Sequence, residues 1–252
     1  MGINSIYGVS QLLSSKKVSL QDYMQDNKNV PVFEGYKFKD NELEKKVKED
    51  TARVMYIIST DSDKYKINEE KMVKRIMNAA AYAGVSPVYV ACIVKNETHF
   101  CDKIIISENG KGPMGLTTIA IKDLYARPSF FDKSLGELIK KYGSLDKLFA
   151  AKKKNASLNL GNLGEILYKY KNPDKLKEAI CQDFDLNLKV GAFVFKGFLK
   201  ENNYKLYNTF YRYNNNSKID KNTGHQVRVD YATNAVGTYR QAMNNGTRLV
   251  KY

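Results

Sequence analysis

The sequence contains no tryptophan, two histidines, three cysteines and five prolines in 252 residues. It also lacks any apolar run near the ~18 residues that a membrane-spanning helix needs, so no transmembrane segment is expected. With two histidines and no C-x-x-C pair, the usual ligand sets for zinc are missing, and neither a metal nor another cofactor is expected. No glycine-rich phosphate loop is present. The odd number of cysteines leaves at least one thiol unpaired in a monomer, and Cys92 and Cys101 would stand about 13 Å apart on a helix, beyond disulfide reach. Cys92, Cys101 and Cys181 are therefore read as reduced residues with packing roles. Acidic residues are in deficit: 27 Asp and Glu face 41 Lys and Arg, a formal charge of +14. Such an excess favours a polyanionic partner, whether nucleic acid, anionic membrane or bacterial wall. The basic residues are dispersed, and no helix shows a basic face with interleaved aromatics, so nucleic acid is not the expected partner.

What the chain does have is enough apolar material for a sizeable core, with 43% hydrophobic and 27% charged residues. Its length suits one large domain or two small ones. Residues 1–31 are polar and mixed in charge, without the basic start and apolar centre of a secretory signal. The chain is thus expected to be cytoplasmic, exported by another route, or trimmed of a leader. Residues 1–35 read as a flexible or loosely docked arm.

From residue 36 onward helical periodicity dominates, and strand-type alternation is scarce. The pattern predicts helices over Asp40 to Ser59 and Lys66 to Ala83, the second stopped by Gly84. Ser86-Pro87, an N-cap followed by proline, opens an almost wholly apolar run from Val88 to Val94, the mark of a central buried helix. Its last turn is Lys95-Asn96-Glu97-Thr98-His99-Phe100. Cys101 to Pro113 reads as a loop, and helix resumes over Leu116 to Tyr125. The span 126–183 carries short amphipathic pieces, Leu135 to Tyr142 and Leu145 to Ala151, and reads as an insertion or subdomain. Within it, Lys152 to Lys154 reads as a solvated face that could also hold anionic polymer. Asp185 to Asn202 is predicted as a long amphipathic helix with Leu188, Ala192, Phe195 and Leu199 on one stripe. Two more helices follow, Tyr204 to Tyr213 and Val227 to Met243, separated by the polar loop Asn214 to Lys218.

Glu97 carries the chemical signal. A carboxyl at the end of a buried apolar helix, before a glycine-rich loop, would be partly desolvated, which raises its pKa toward that of a useful general acid. Equally, position alone allows a helix-end glutamate that pairs with Lys95 or Lys103. His99 and His225 read as structural or solvated, since neither lies in a catalytic-triad pattern or a metal-ligand spacing.

Five segments in order carry a resemblance. Glu97-Thr98-His99-Phe100, Gly112-Pro113-Met114-Gly115-Leu116-Thr117-Thr118, Asn187 to Gly191, Tyr213-Asn214-Asn215-Asn216 and Tyr231 resemble the soluble lytic transglycosylases of the goose-type lysozyme-like superfamily. That family has Glu-Ser-x-Phe, Gly-Ala-x-Gly-Leu-Met-Gln, an Asn-x-x-x-Gly helix, Ala-Tyr-Asn-Ala-Gly and a late tyrosine. The likeness covers roughly residues 70 to 125 and 184 to 245. Thr98 stands for the usual serine and keeps a hydroxyl that can orient the acid. Thr117-Thr118 replace Met-Gln, Asn216 replaces a glycine, and the loop after Glu97 is about three residues longer than the family's.

The resemblance implies a mainly α, lysozyme-like catalytic domain over residues 36–252, with a helical insertion at 126–183. It implies cleavage of the β-1,4 bond between N-acetylmuramic acid and N-acetylglucosamine, with Glu97 as single general acid and base and a 1,6-anhydro product. Tyr213 and Tyr231 would support the acid, Asn214 would line the cleft, and the Met114-Gly115 backbone would approach a sugar closely because Gly115 has no side chain. Thr98, Thr117 and Thr118 fall among the substrate-binding or supporting positions. A hydrolytic muramidase would need a second carboxylate, for which Glu108 is the first candidate and Asp102 a weaker one. A catalytically silent peptidoglycan-binding or assembly protein is the third alternative. The expected partners are peptidoglycan strands and secretion or cell-wall machinery, the expected state a monomer, and the expected place of action the periplasm or wall.

Overall fold

The structure, a computed structural model, describes residues 40–107, 110–214 and 216–246. The predicted arm (residues 1–35) and Glu108 lie outside the described residues. The regular structure among the described residues is helical: α1 (Asp40–Tyr65), α2 (Glu69–Ala83), α3 (Pro87–Thr98), α4 (Thr118–Ala126), α5 (Pro128–Phe131), α6 (Lys133–Tyr142), α7 (Leu145–Lys154), α8 (Gly161–Tyr170), α9 (Pro173–Ile180), α10 (Phe184–Glu201), α11 (Leu206–Tyr213) and α12 (Val227–Asn245). Among the described residues strand-type pairing is confined to isolated bridges. No helix among the described residues is long and apolar enough to cross a membrane.

Helix α3 lies at the centre, as its all-round apolar surface predicts. Val88, Val90, Ala91, Cys92, Ile93 and Val94 are buried, and α1, α2 and α12 pack around it. Pro87 opens it after an extended Ser86, but the Ser86 side chain makes no capping bond, so that cap is positional only. The other end is unusual. His99 (φ 48) and Phe100 (φ 59) are consecutive non-glycine residues in the left-handed region, a conformation that costs roughly 1 kcal/mol or more per residue. Phe100 is held there by burial, 1% exposed. His99 stacks on Tyr65 at 4.9 Å between centroids and reaches Asp61 at 3.0 Å. The sharp stop leaves Glu97 in the final turn.

Where boundaries differ from the sequence reading, caps and positive φ angles decide. Asn68 accepts from the Lys71 amide and starts α2 at Glu69 rather than Lys66. Gly84 (φ 71) ends it as expected, donating to Ala80 and Ala81. Asn203 and Tyr204 take positive φ and delay α11 to Leu206. Helix α10 buries the predicted stripe of Leu188, Ala192, Phe195 and Leu199 and packs on α2 and α11, while α11 packs on α12.

The span 126–183 folds as α5 to α9. Helix α5 docks on α10, α8 on α2, and α9 on both α4 and α10. Its Leu135, Leu148, Leu163, Leu167 and Leu176 belong to the same buried cluster as Val54, Ile76 and Ile93. The lysine run needs correction. Helix α7 extends through Lys154, and Lys152 is not a free solvated cation: its Nζ donates to the carbonyls of Ala156 (3.0 Å) and Leu158 (2.6 Å) and pairs with Glu165 at 2.9 Å. Its side chain is 14% exposed, so the ammonium ties the end of α7 to the first turns of α8. The three cysteines are free, with Cys92 buried in α3.

Lys152→Ala is therefore expected to lower stability by about 1 to 3 kcal/mol, the range for losing hydrogen bonds from a charged donor. Lys154→Ala should stay within about 0.5 kcal/mol of the parent, as surface substitutions do. Urea denaturation of the two variants checks the contrast.

Candidate active site

The site is built around a tight turn that faces the end of α3. Lys111 and Leu116 exchange both backbone hydrogen bonds at 3.0 Å, and the Gly115 amide donates to the Gly112 carbonyl at 3.0 Å. On its other side Lys111 bridges Ile106, and the Gly112 amide donates to Ile105 at 2.7 Å. Such a reversal in five residues needs left-handed backbone, supplied by Gly112 (φ 69) and Gly115 (φ 58).

Gly115 also answers a steric demand. A Cβ at this position would lie 2.2 Å from Glu97 Oε2 and 2.5 Å from its Cδ. The Glu97 carboxyl therefore rests directly on the Gly115 backbone. This corrects the sequence reading of Gly115: the space freed by its missing side chain is filled by the acid.

Three other elements fix this arrangement. The Tyr213 hydroxyl, at the end of α11, donates to the Met114 carbonyl at 2.7 Å, with its ring packed on Phe195 and Phe198. Asn187 of α10 accepts from the Met114 amide at 3.1 Å. Tyr231, early in α12, is 7% exposed. Its buried hydroxyl has no hydrogen bond of full geometry, yet it acts on the Glu97 carboxyl and favours the anion.

The electrostatics follow from this packing. Burial pushes the Glu97 pKa above the ordinary glutamate value, and the Tyr231 hydroxyl opposes only part of that shift. No salt bridge holds Glu97 among the described residues, although the residue keeps some surface open to solvent. Tyr213 and Tyr231 are both pushed well above the usual tyrosine range, first by burial and next by the neighbouring Glu97 charge. Both hydroxyls thus stay neutral donors. A carboxyl whose pKa is raised by burial, and whose anion meets a phenol, is suited to general acid and base work.

The remaining expected residues fall as follows. Thr98 donates to the Val94 carbonyl of its own helix at 3.1 Å. Thr117 is the exposed N-cap of α4, accepting from Ala120 at 3.1 Å, and Thr118 is the first residue of that helix. Met114 is 0% exposed, so it contributes through its backbone. Asn214 ends α11, its amide bonded to Phe210 at 3.1 Å and its side-chain oxygen accepting from Asn216 at 3.3 Å. Asp102 is taken up by ion pairs: Lys71 at 2.7 Å and Arg75 engage it, and chiefly Lys71 holds its carboxyl below the usual range. His99 and His225 pair with Asp61 and Asp230. Among the described residues no group of three or more His, Cys, Asp or Glu is placed to hold a metal.

The sign of the Glu97 shift makes a prediction. A carboxyl whose folded pKa exceeds its unfolded one favours folding fully below the unfolded value, and that contribution is lost as pH rises through the folded value. Glu97→Gln removes the buried charge while keeping the shape. The variant should gain stability over the parent as pH climbs from about 4, through the raised folded pKa, toward 7, and the difference should vanish at lower pH. Thermal melts across that range test it, and a parent as stable as the variant at neutral pH would contradict it.

Comparison of the chain with protein-family models, with curated proteins and with solved structures finds no match, so the functional reading rests on these residues and their geometry.

Proposed function

We propose that this chain is a lytic transglycosylase with a lysozyme-like fold, cleaving the β-1,4 bond between N-acetylmuramic acid and N-acetylglucosamine in peptidoglycan. The observation that carries the reading is the meeting of separated segments at one carboxyl. The turn at Gly115, the Tyr213 hydroxyl behind that turn and the Tyr231 hydroxyl all converge on Glu97. These are the segments that carry the sequence resemblance.

In this reading protonated Glu97 gives its proton to the glycosidic oxygen as the bond to muramic C1 breaks. Positive charge develops at C1 and its ring oxygen. The departing N-acetylglucosamine unit leaves with a free hydroxyl, and the Glu97 carboxylate, steadied by Tyr231, takes the proton of the muramic 6-hydroxyl. The 6-oxygen closes on C1, giving a 1,6-anhydro end and restoring protonated Glu97. No water enters, and one carboxyl serves both steps. Among the described residues the influences on Glu97 are burial and Tyr231. Asp102 is engaged by Lys71 and Arg75, and Glu108 lies outside the described residues, so the single-carboxyl chemistry is supported by Asp102 alone among the candidates. A charge of +14 suits retention on an anionic wall in the periplasm or cell envelope.

Purified peptidoglycan digested with the protein, followed by mass analysis of the fragments, tests the proposal. Anhydromuramic ends are expected. Reducing ends would make the protein a hydrolytic muramidase, and no release would make it a binder. Glu97→Gln should reduce fragment release by about 10²-fold or more, the scale on which a general acid contributes.

A further inference from the structure

We propose that Asn187 is a positioning residue for Glu97, an amide on α10 that locks the 111–116 turn at the place where Gly115 meets the acid. Asn187 is wholly buried, 0% exposed, and all its contacts run to backbone. Its Oδ1 accepts from the Met114 amide at 3.1 Å, and its Nδ2 donates to the carbonyls of Lys111 at 2.9 Å and Ile180 at 3.3 Å. One side chain thus holds both limbs of the turn and anchors them to the end of α9. The turn is shaped to receive it: a Cβ on Gly112 would lie 2.3 Å from Asn187 Nδ2. One helical turn further along α10, a Cβ on Gly191 would lie 2.4 Å from Met114 Cβ. Helix α10 therefore presents an amide and a gap, spaced by four residues, into which residues 111–115 seat.

An apolar side chain of the same size could fill the space at 187 without fixing the turn. It would leave the Met114 amide and the Lys111 carbonyl without their side-chain partner. What Asn187 adds is register. Met114 is held on one side by Asn187 and on the other by Tyr213, and Gly115 follows it directly. Release of this hold lets the turn move off Glu97 and lets water reach the carboxyl, so the desolvation that raises its pKa is lost. The geometric role stands without reference to the reaction; its effect on rate rests on the reading of Glu97 as the acid of glycan cleavage.

The test reads Glu97 directly. The full chain is labelled with glutamate carrying ¹³C in the side-chain carboxyl, and the Glu97 resonance is assigned by its absence from Glu97→Gln. Titrations compare the parent, Asn187→Leu, and Gly112→Ala, which disrupts the same contact from the turn side should the first variant fail to fold. Leu163→Ala, a fully buried change in α8, controls for general loss of stability. Both site variants are expected to shift the Glu97 titration downward toward ordinary glutamate, and Leu163→Ala to leave it in place despite a lowered Tm. A parent-like Glu97 titration in either folded site variant, or an equal shift in Leu163→Ala, overturns the proposal. In wall digestion the alkaline limb of the pH profile, where the general acid loses its proton, should move downward with the titration, and the rate should fall by about 10²-fold, as misplacement of a reacting group by ~1 Å does. A parent that releases no fragments overturns the proposed function, while the titration still decides the role of Asn187.

Discussion

Everything in the site depends on keeping one carboxyl out of water without giving it a cation. A carboxylate in an apolar setting is costly, and an ammonium or guanidinium within reach would normally remove the cost by lowering the pKa. The chain does otherwise. Lys95, two residues before Glu97, is turned to Asp61 at 3.4 Å, and Arg75 is spent on Asp102 and Asp185. The neighbours left to Glu97 are a glycine backbone and two phenols. These polar but uncharged groups accommodate either protonation state.

Holding such a carboxyl in place without an ion pair requires rigidity from elsewhere. The end of α3 supplies part of it through two left-handed residues, one pinned by burial and the other by Tyr65 and Asp61 of α1. The turn supplies the rest, gripped between α10 and α11. Neither support is local in sequence. The helices that carry the site, α3, α10, α11 and α12, pack on one another, so the burial that stabilises the fold also fixes the distance between acid and turn. Arg75 adds a further tie, joining the loop after α3 to the first turn of α10 while stacking on Phe184 at 4.5 Å.

Much of this was legible in the sequence where one element suffices to state it. The apolar run before Glu97 foretold a central helix with its acid in the last turn, and Gly84 and Pro87 marked ends by rules that act within a few residues. What the sequence could not display was where long-range partners meet. Gly115 read as room for a sugar because the residue that fills its missing Cβ lies eighteen positions earlier, on another element. Asn187 entered the sequence reading as the start of the Asn187 to Gly191 segment with no role of its own, though an asparagine among Leu186, Leu188 and Val190 on a buried helix was a signal that it answers backbone groups elsewhere. Lys152 read as solvated because its acceptors lie on the following loop and on α8.

The departures from the transglycosylase pattern acquire a physical meaning in this geometry. Thr117 caps α4 and faces that helix's first turn. Asn216 is taken up in a local turn with Asn214, and the Thr98 hydroxyl is spent on its own helix. Among the described residues none of the three bonds to Glu97 or to the turn beneath it. Gly115, Asn187, Tyr213 and Tyr231, which touch the acid or fix the turn, stand at positions where the chain matches the pattern, while Met114, at a position the pattern leaves open, contributes through its backbone. The hydroxyls and amide at these positions thus serve local backbone, and the hold on the buried carboxyl comes from α10, α11 and α12.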